Sequence, residues 1–369
     1  MSGQTGTFCG GTPSAAQIAA LQKIREYPAI SVLVTTTPAA VLGAEDALRL
    51  DALAGRAVHR VRGELCPATA APAVERLNAL LALARRGPAA RALALYASAS
   101  TQALIRLPIP VHDREAVDPT FATRDLVRAR QRIPPYCVLA LSPSHARLFE
   151  AVNNILLPAP TCAFPMHVAH RIPHRGSGPA DRPTHTIDHD DFYRDVDAAL
   201  SAYLRRHPVP FVLVGDGRAA AGFQLACTNH RRLVGTVRGN LSSTPARELS
   251  TRIHSALDAY LNRRQAEAVA LIARRASAGR VASGMPAAWL AARTRRPEML
   301  AVDESLFYPA RISDDGDTLI PAVDVEHPDV IDDAVDELIE LVLARGGRVA
   351  FTTPGALAEH HHGVAVTIR

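Results

Sequence analysis

Residues 136–159 read YCVLALSPSHARLFEAVNNILLPA, and this stretch decides the fold. An apolar run of strand length, Tyr136 to Leu141, meets a Ser-Pro turn. A second run from His145 ends at the Asn153-Asn154 corner, and ILLP opens a third. Strand, tight turn, strand, corner and strand are the beginning of a sheet. Downstream, DFYRDVDAALSAYLRR (191–206) is an amphipathic helix, and PFVLVGD and RLVGTVRGN are two more strands. Pro245 suits the first position of a further helix, in which Leu249, Ile253, Leu257, Tyr260 and Leu261 share a face. Residues 158–187 follow no period of 2 or 3.6; a loop of that length is either functional or disordered.

The flanking stretches keep the same rhythm. Before the central stretch come a helix capped by Ser14, the strand AISVLVTTT (29–37) and helices over 43–62 and 70–86. RALALYAS (91–98) and QALIRLPI (102–109) read as a hairpin, and ATRDLVRARQR (122–132) is a basic helix ending at a Pro134-Pro135 boundary. Beyond Gly279, MPAAWLAARTRR, MLAVDES, the acidic turn ISDDGDT, VIDDAVDELIELVLARGG, RVAFTTPG and GVAVTIR continue the alternation of helix and strand. The fold class is therefore α/β, expected as three mixed α/β domains over 1–134, 135–264 and 265–369.

Composition narrows the function classes. At 48% apolar and 21% charged, the 369 residues are of ordinary globular make-up. No apolar run approaches the ~18 residues of a membrane span, and the N-terminal residues lack the pattern of a secretory signal. A cytoplasmic location is expected. The five cysteines are scattered and form no CxxC, which fits free thiols; Cys137, in an apolar strand, reads as core. Lys23 is the only lysine, so nearly all positive charge is guanidinium, a group suited to bidentate phosphate contacts. Coding bias is the duller source of the same preference. Residues 1–134 carry 16 basic against 10 acidic groups, residues 135–275 carry 17 against 11, and residues 276–369 carry 8 against 15. That asymmetry suits a chain whose first two thirds face a polyanion and whose last third does not.

Familiar catalytic motifs are missing. GDGRAAAG (215–222) is not GxGxxG and reads as a tight turn; GxxxxGK[ST] is impossible with a single lysine at 23. RGSGP (175–179) is not a nucleophile elbow. His167, His170, His174, His185 and His189, with Asp188, Asp190 and Asp191, have the chemistry of a zinc or dinuclear metal site. However, RIPHRGSGP cannot form the helix that an HxxxH pair needs. His360 to His362 read as an exposed turn. What remains is an arm rich in arginine, histidine and glycine, suited to insertion among RNA backbones.

These residues resemble the archaeo-eukaryotic class 1 release factor superfamily, which includes Pelota and bacterial relatives. YCVLALSPSHARLFEAVNN, the long loop, PFVLVGD and RRLVGTVRGNLSSTPARELSTRIHSAL are similar to its middle domain. AGRVASGMPAAWLAARTRRPEMLAVDES and GGRVAFTTPGALAEHHHGVAVTIR are similar to its third domain, akin to kink-turn-binding ribosomal proteins, and PAISVLVTTT to the bacterial first domain. Release factors carry Gly-Gly-Gln at the tip of the middle-domain loop, whereas HRIPHRGSGPADRPTHT (170–186) contains no glutamine. The decoding motif Asn-Ile-Lys-Ser is also absent, since Lys23 lies in LQKIRE. The resemblance thus implies a factor that occupies the A site of idle 70S ribosomes as a hibernation factor without hydrolysing peptidyl-tRNA. It further implies delivery with elongation factor Tu and GDP, a monomeric state, and an acidic third domain turned toward the GTPase. His170, Arg171, His174, Arg175, Gly176, Ser177, Gly178, Arg182 and His185 would contact ribosomal RNA. The alternatives are a rescue hydrolase that uses His174 or His185 as base, and a metal-dependent hydrolase built on the His/Asp cluster.

Overall fold

The computed structural model describes residues 5–7, 12–152, 155–168, 189–239, 244–324, 327 and 329–369. The first stretch comprises β1 (Thr5–Thr7), α1 (Ala15–Gln22), β2 (Ala29–Thr35), α2 (Ala44–Glu64), α3 (Pro67–Arg86), β3 (Ala92–Ala97), β4 (Gln102–Leu107), β5 (Arg114–Asp118) and α4 (Arg124–Arg132). Its strands form one sheet in the order β1-β4-β3-β2-β5, and β3 and β4 make the expected antiparallel hairpin. The run AISVLVT is mostly apolar and buried from Ala29 to Val34 because the sheet is covered on both sides. Ile30, Val32 and Val34 face the core formed with α2 and α3, while Ala29 and Leu33 face the opposite core. Ser31, on that second face, is buried and accepts a hydrogen bond from Ala122 N at 3.0 Å.

The central stretch comprises β6 (Cys137–Leu141), β7 (His145–Val152), β8 (Ile155–Pro158), β9 (Met166–His167), α5 (His189–Arg206), β10 (Phe211–Gly215), α6 (Gly217–Ala226), a 3-10 turn (His230–Arg232) and β11 (Leu233–Arg238). The sheet order is β11-β10-β6-β7-β8, with β9 paired to β7. Strands β6, β10 and β11 run parallel, and β7 turns back through the Ser-Pro turn. One face packs on α5 and α6 through Leu139, Val196, Leu200, Leu213 and Phe223. The other packs through Val138, Val212 and Val214 on Leu249, Ile253 and Leu257 of α7 (Ala246–Ala276). Cys137 is fully buried, as expected, and burial pushes its thiol up to about 12.

The last stretch comprises β12 (Val281–Ser283), α8 (Met285–Thr294), β13 (Pro297–Asp303), β14 (Ala310–Ile312), β15 (Leu319–Pro321), α9 (Ala334–Ala344), β16 (Arg348–Thr352), α10 (Ala358–His361) and β17 (Val364–Ile368). Its main sheet has the order β12-β17-β13-β16. The triple histidine closes a short helix: His361 Nδ1 lies 2.7 Å from Ser283 Oγ, and His362 adopts a left-handed φ of 49°.

Contacts divide the chain into two compact units, residues 135–263 and residues 1–134 together with 264–369. The first and last stretches, expected as separate domains, therefore share one unit. Its core joins Ile18, Leu33, Tyr96, Phe121 and Leu126 to Trp289, Leu300, Val335, Leu338 and Val342. Each such side chain, buried, contributes about 1.5–3 kcal/mol of transfer free energy. Gln131 of α4 extends the union to the backbone of β16: its carboxamide donates to Val349 O and accepts from Phe351 N at 3.2 Å. One side chain thereby occupies hydrogen-bonding positions along a sheet edge that a further strand would use.

Candidate nucleic-acid interface

In the central unit β6 ends at Leu141, and the Ser142–His145 turn is closed by a 2.8 Å bond from Ser142 N to His145 O. Val168 N, just beyond β9, donates to Ser144 O at 3.0 Å. His189, the first residue of α5, donates from Nδ1 to Pro143 O at 2.9 Å. The chain thus leaves at Val168 and returns at His189 on the same turn, at one end of the sheet. His170, Arg171, His174, Arg175, Gly176, Ser177, Gly178, Arg182 and His185 all fall between these two anchors and lie outside the described residues.

The anchors are built for a fixed geometry. β9 pairs with β7 so that His167 lies opposite His145, and their rings stack with centroids 4.5 Å apart. Burial, His167 and Arg147 together hold His145 below its ordinary pKa, so this ring is neutral at pH 7. Arg147 lies 5.1 Å from the Phe149 ring centroid and donates from Nη2 to Thr244 O at 2.8 Å. Beneath His189, Phe192 and Tyr193 are buried, and Gly222 of α6 leaves the room Tyr193 needs: a Cβ there would come within 2.5 Å of Cε2. The GDGR segment is the expected tight turn. Asp216 caps α6 by accepting from Arg218 N at 2.9 Å and Ala219 N at 2.8 Å. Gly215 fits closely over Leu141 O, where a Cβ would approach to 2.8 Å.

His167 and His189, two members of the histidine cluster, are engaged in this scaffold: one stacks on a ring and the other binds a carbonyl. Among the described residues no group of His, Cys, Asp and Glu is disposed to hold a metal ion. The pairing of His145 with His167 escapes a reading of the sequence, because only the register of β7 against β9 brings them together.

The acidic last stretch differs most from expectation. Asp333, Asp336 and Glu340 of VIDDAVDELIEL are buried against the first stretch. Arg114 lies 3.1 Å from Asp336, 3.4 Å from Asp333 and 3.5 Å from Asp125. Arg124 pairs with Asp333 at 2.9 Å, Arg60 with Asp332 at 2.8 Å and Arg25 with Glu340 at 3.0 Å. Thr120 Oγ1 donates to Glu337, and Arg132 pairs with Glu304. Burial would lower the Arg114 pKa, but Asp336, Asp125 and Asp333 hold it above the ordinary arginine value. Burial raises Asp333 and Glu337, and burial together with Glu337 pushes Glu340 up to about 8. These carboxylates meet arginines of their own unit.

The charge map changes accordingly. Residues 1–134 with 264–369 carry 27 basic against 26 acidic groups, whereas residues 135–263 carry 14 against 10. The central unit therefore holds nearly all of the net charge of +5.

Residues 135–296 match the family described as bacterial archaeo-eukaryotic release factor family 3. The likeness to that family rests on this segment of the chain. The matched segment contains the whole central unit, with the turn that anchors both ends of the arm. Solved structures of similar order include an archaeal translation termination factor, aRF1, at 13% identity, covering 96% of each chain with a TM-score of 0.25. Pelota of Archaeoglobus fulgidus is similar at 17% identity over 75% of this chain and 79% of its own, with a TM-score of 0.32. Dom34 of S. cerevisiae, a translation termination-like factor, is similar at 10% identity over 75% of this chain and 72% of its own, with a TM-score of 0.44. No curated protein matches. Among the described residues, no helix is long and apolar enough to cross a membrane.

Proposed function

We propose that the chain is a cytoplasmic ribosome hibernation factor. It occupies the A site of idle 70S ribosomes and extends the 169–188 arm toward the peptidyl transferase centre, leaving peptidyl-tRNA intact. The carrying observation is a release-factor family segment over 135–296 whose arm contains no glutamine. Cleaving the ester requires a water held in line and donors aimed at the developing oxyanion. Without the Gly-Gly-Gln tip, docking persists while water positioning is lost. The pattern resembles the hibernation factor Balon, and delivery by elongation factor Tu with GDP follows from that resemblance. The excess positive charge of the central unit supports contact with ribosomal RNA.

Co-sedimentation of the purified full chain with 70S ribosomes tests the reading. The expected result is pelleting with ribosomes at low salt and release as salt rises, through counterion uptake by the RNA. A chain that stays in the supernatant at low salt contradicts it.

A further inference from the structure

At the end of α5 remote from the arm, the central unit gathers a second set of cations. Helix α5 has 18 residues and is therefore about 27 Å long at 1.5 Å per residue; it begins at the arm's anchor, His189, and ends in Arg205 and Arg206. The segment 228–232 is fastened along its second half. Thr228 Oγ1 donates to Asp197 at 2.6 Å, Asn229 Nδ2 to Ser201 Oγ at 2.7 Å, and Arg232 Nη1 to Leu204 O at 2.7 Å. These bonds hold the short segment that carries His230 and Arg231 along the second half of α5, the helix that ends in Arg205 and Arg206.

The charge at this corner is uncompensated. Arg205, Arg206, His230 and Arg231 are exposed, and among the described residues none of the three arginines has a carboxylate partner. The neighbouring acids are engaged: Asp197 is buried under Thr228 and Asn229, and Glu150 accepts from Tyr203 and lies 4.0 Å from His207 Nδ1. Arginines ending a helix ordinarily complement its dipole. That accounts for Arg205 and Arg206, but not for His230 and Arg231, which come from a separate turn.

We propose that this corner is a second RNA-binding site, which grips phosphodiester backbone about one helix length from the arm. Exposed guanidiniums carried on two elements fastened to each other, without described carboxylates to satisfy them, suit phosphates of one backbone through forked hydrogen bonds. The site deepens the ribosome reading and rests on it for the identity of the RNA, but its chemistry requires only a phosphate backbone. The corner then holds the end of the unit opposite the turn at Pro143 and Ser144.

The test compares the full chain with R205Q/R206Q/R231Q and with R62Q/R86Q/R91Q, which removes equal charge from exposed positions of the other unit. Binding to a 20-base-pair RNA duplex is followed by fluorescence anisotropy across a salt titration, and binding to 70S ribosomes by sedimentation. The corner variant is expected to lose about tenfold or more in duplex affinity at low salt, and its log–log salt slope to fall by about 2. The control is expected to change less than about twofold. Unchanged thermal melting confirms that the corner variant folds. Equal losses in both variants, or wild-type duplex binding by the corner variant, overturn the proposal. If the wild-type chain ignores ribosomes yet grips duplex through the corner, the hibernation reading falls and this site stands.

Discussion

Arg114 and Arg205 carry the same cation to opposite fates. Arg114 is buried among Asp125, Asp333 and Asp336, so its charge is consumed inside the unit built from the two ends of the chain. Arg205 is exposed on the central unit, where no described carboxylate meets it. The difference teaches that net charge along a sequence does not locate an RNA-facing surface; charge left over after folding does. Counted by unit, residues 1–134 with 264–369 are close to neutral, and the central unit carries the excess that the proposal turns toward RNA.

The sharpest way to break this comparison is Arg114→Ala. It strands three buried carboxylates and should destabilise the outer unit by about 3–5 kcal/mol in denaturant titration, the usual cost of opening a buried pair. An effect below about 1 kcal/mol would mean the seam is wet and its charge available outside. Gln131→Leu should cost about 1–3 kcal/mol, because Val349 O and Phe351 N lose their partner at the sheet edge.

Titration sharpens the same contrast. Glu340 is raised from 4.5 to about 8 in the folded chain, so its protonated form favours folding. That contribution is full below pH 4.5 and is lost as pH rises through about 8. The melting temperature of the outer unit should therefore fall between pH 6 and pH 9, and Glu340→Gln should flatten the fall. Unchanged pH dependence in the variant would assign the effect elsewhere. At the small end, Asp191→Asn removes the exposed i,i+3 pair with Arg194 and should cost no more than about 0.5 kcal/mol by thermal melting.

The central sheet was legible because its signals are local. A Ser-Pro turn between two apolar runs set β6 against β7, and Pro245 marked the start of α7. The seam was not legible, because its partners stand more than 200 residues apart, as Arg114 and Asp336 do. A signal was nevertheless present. Asp333, Asp336, Glu337 and Glu340 fall at i, i+3, i+4 and i+7, and Arg124, Arg128 and Arg132 repeat at every fourth residue of the basic helix. Each stripe alone reads as a solvated face, yet Arg124 meets Asp333 across them, while Arg128 and Arg132 meet Glu304. The stretch 158–187 reads as unbroken loop, yet β9 lies inside it, and the anchors at Pro143 and Ser144 required the structure.

Binding and cleavage are separated in one reaction. The full chain is added to 70S ribosomes carrying labelled peptidyl-tRNA in the P site, and bound chain and freed peptide are quantified from the same tube. The account predicts stoichiometric, salt-sensitive binding with the peptidyl ester intact. Peptide release that disappears in His174→Ala or His185→Ala would contradict it and make the arm a hydrolytic centre.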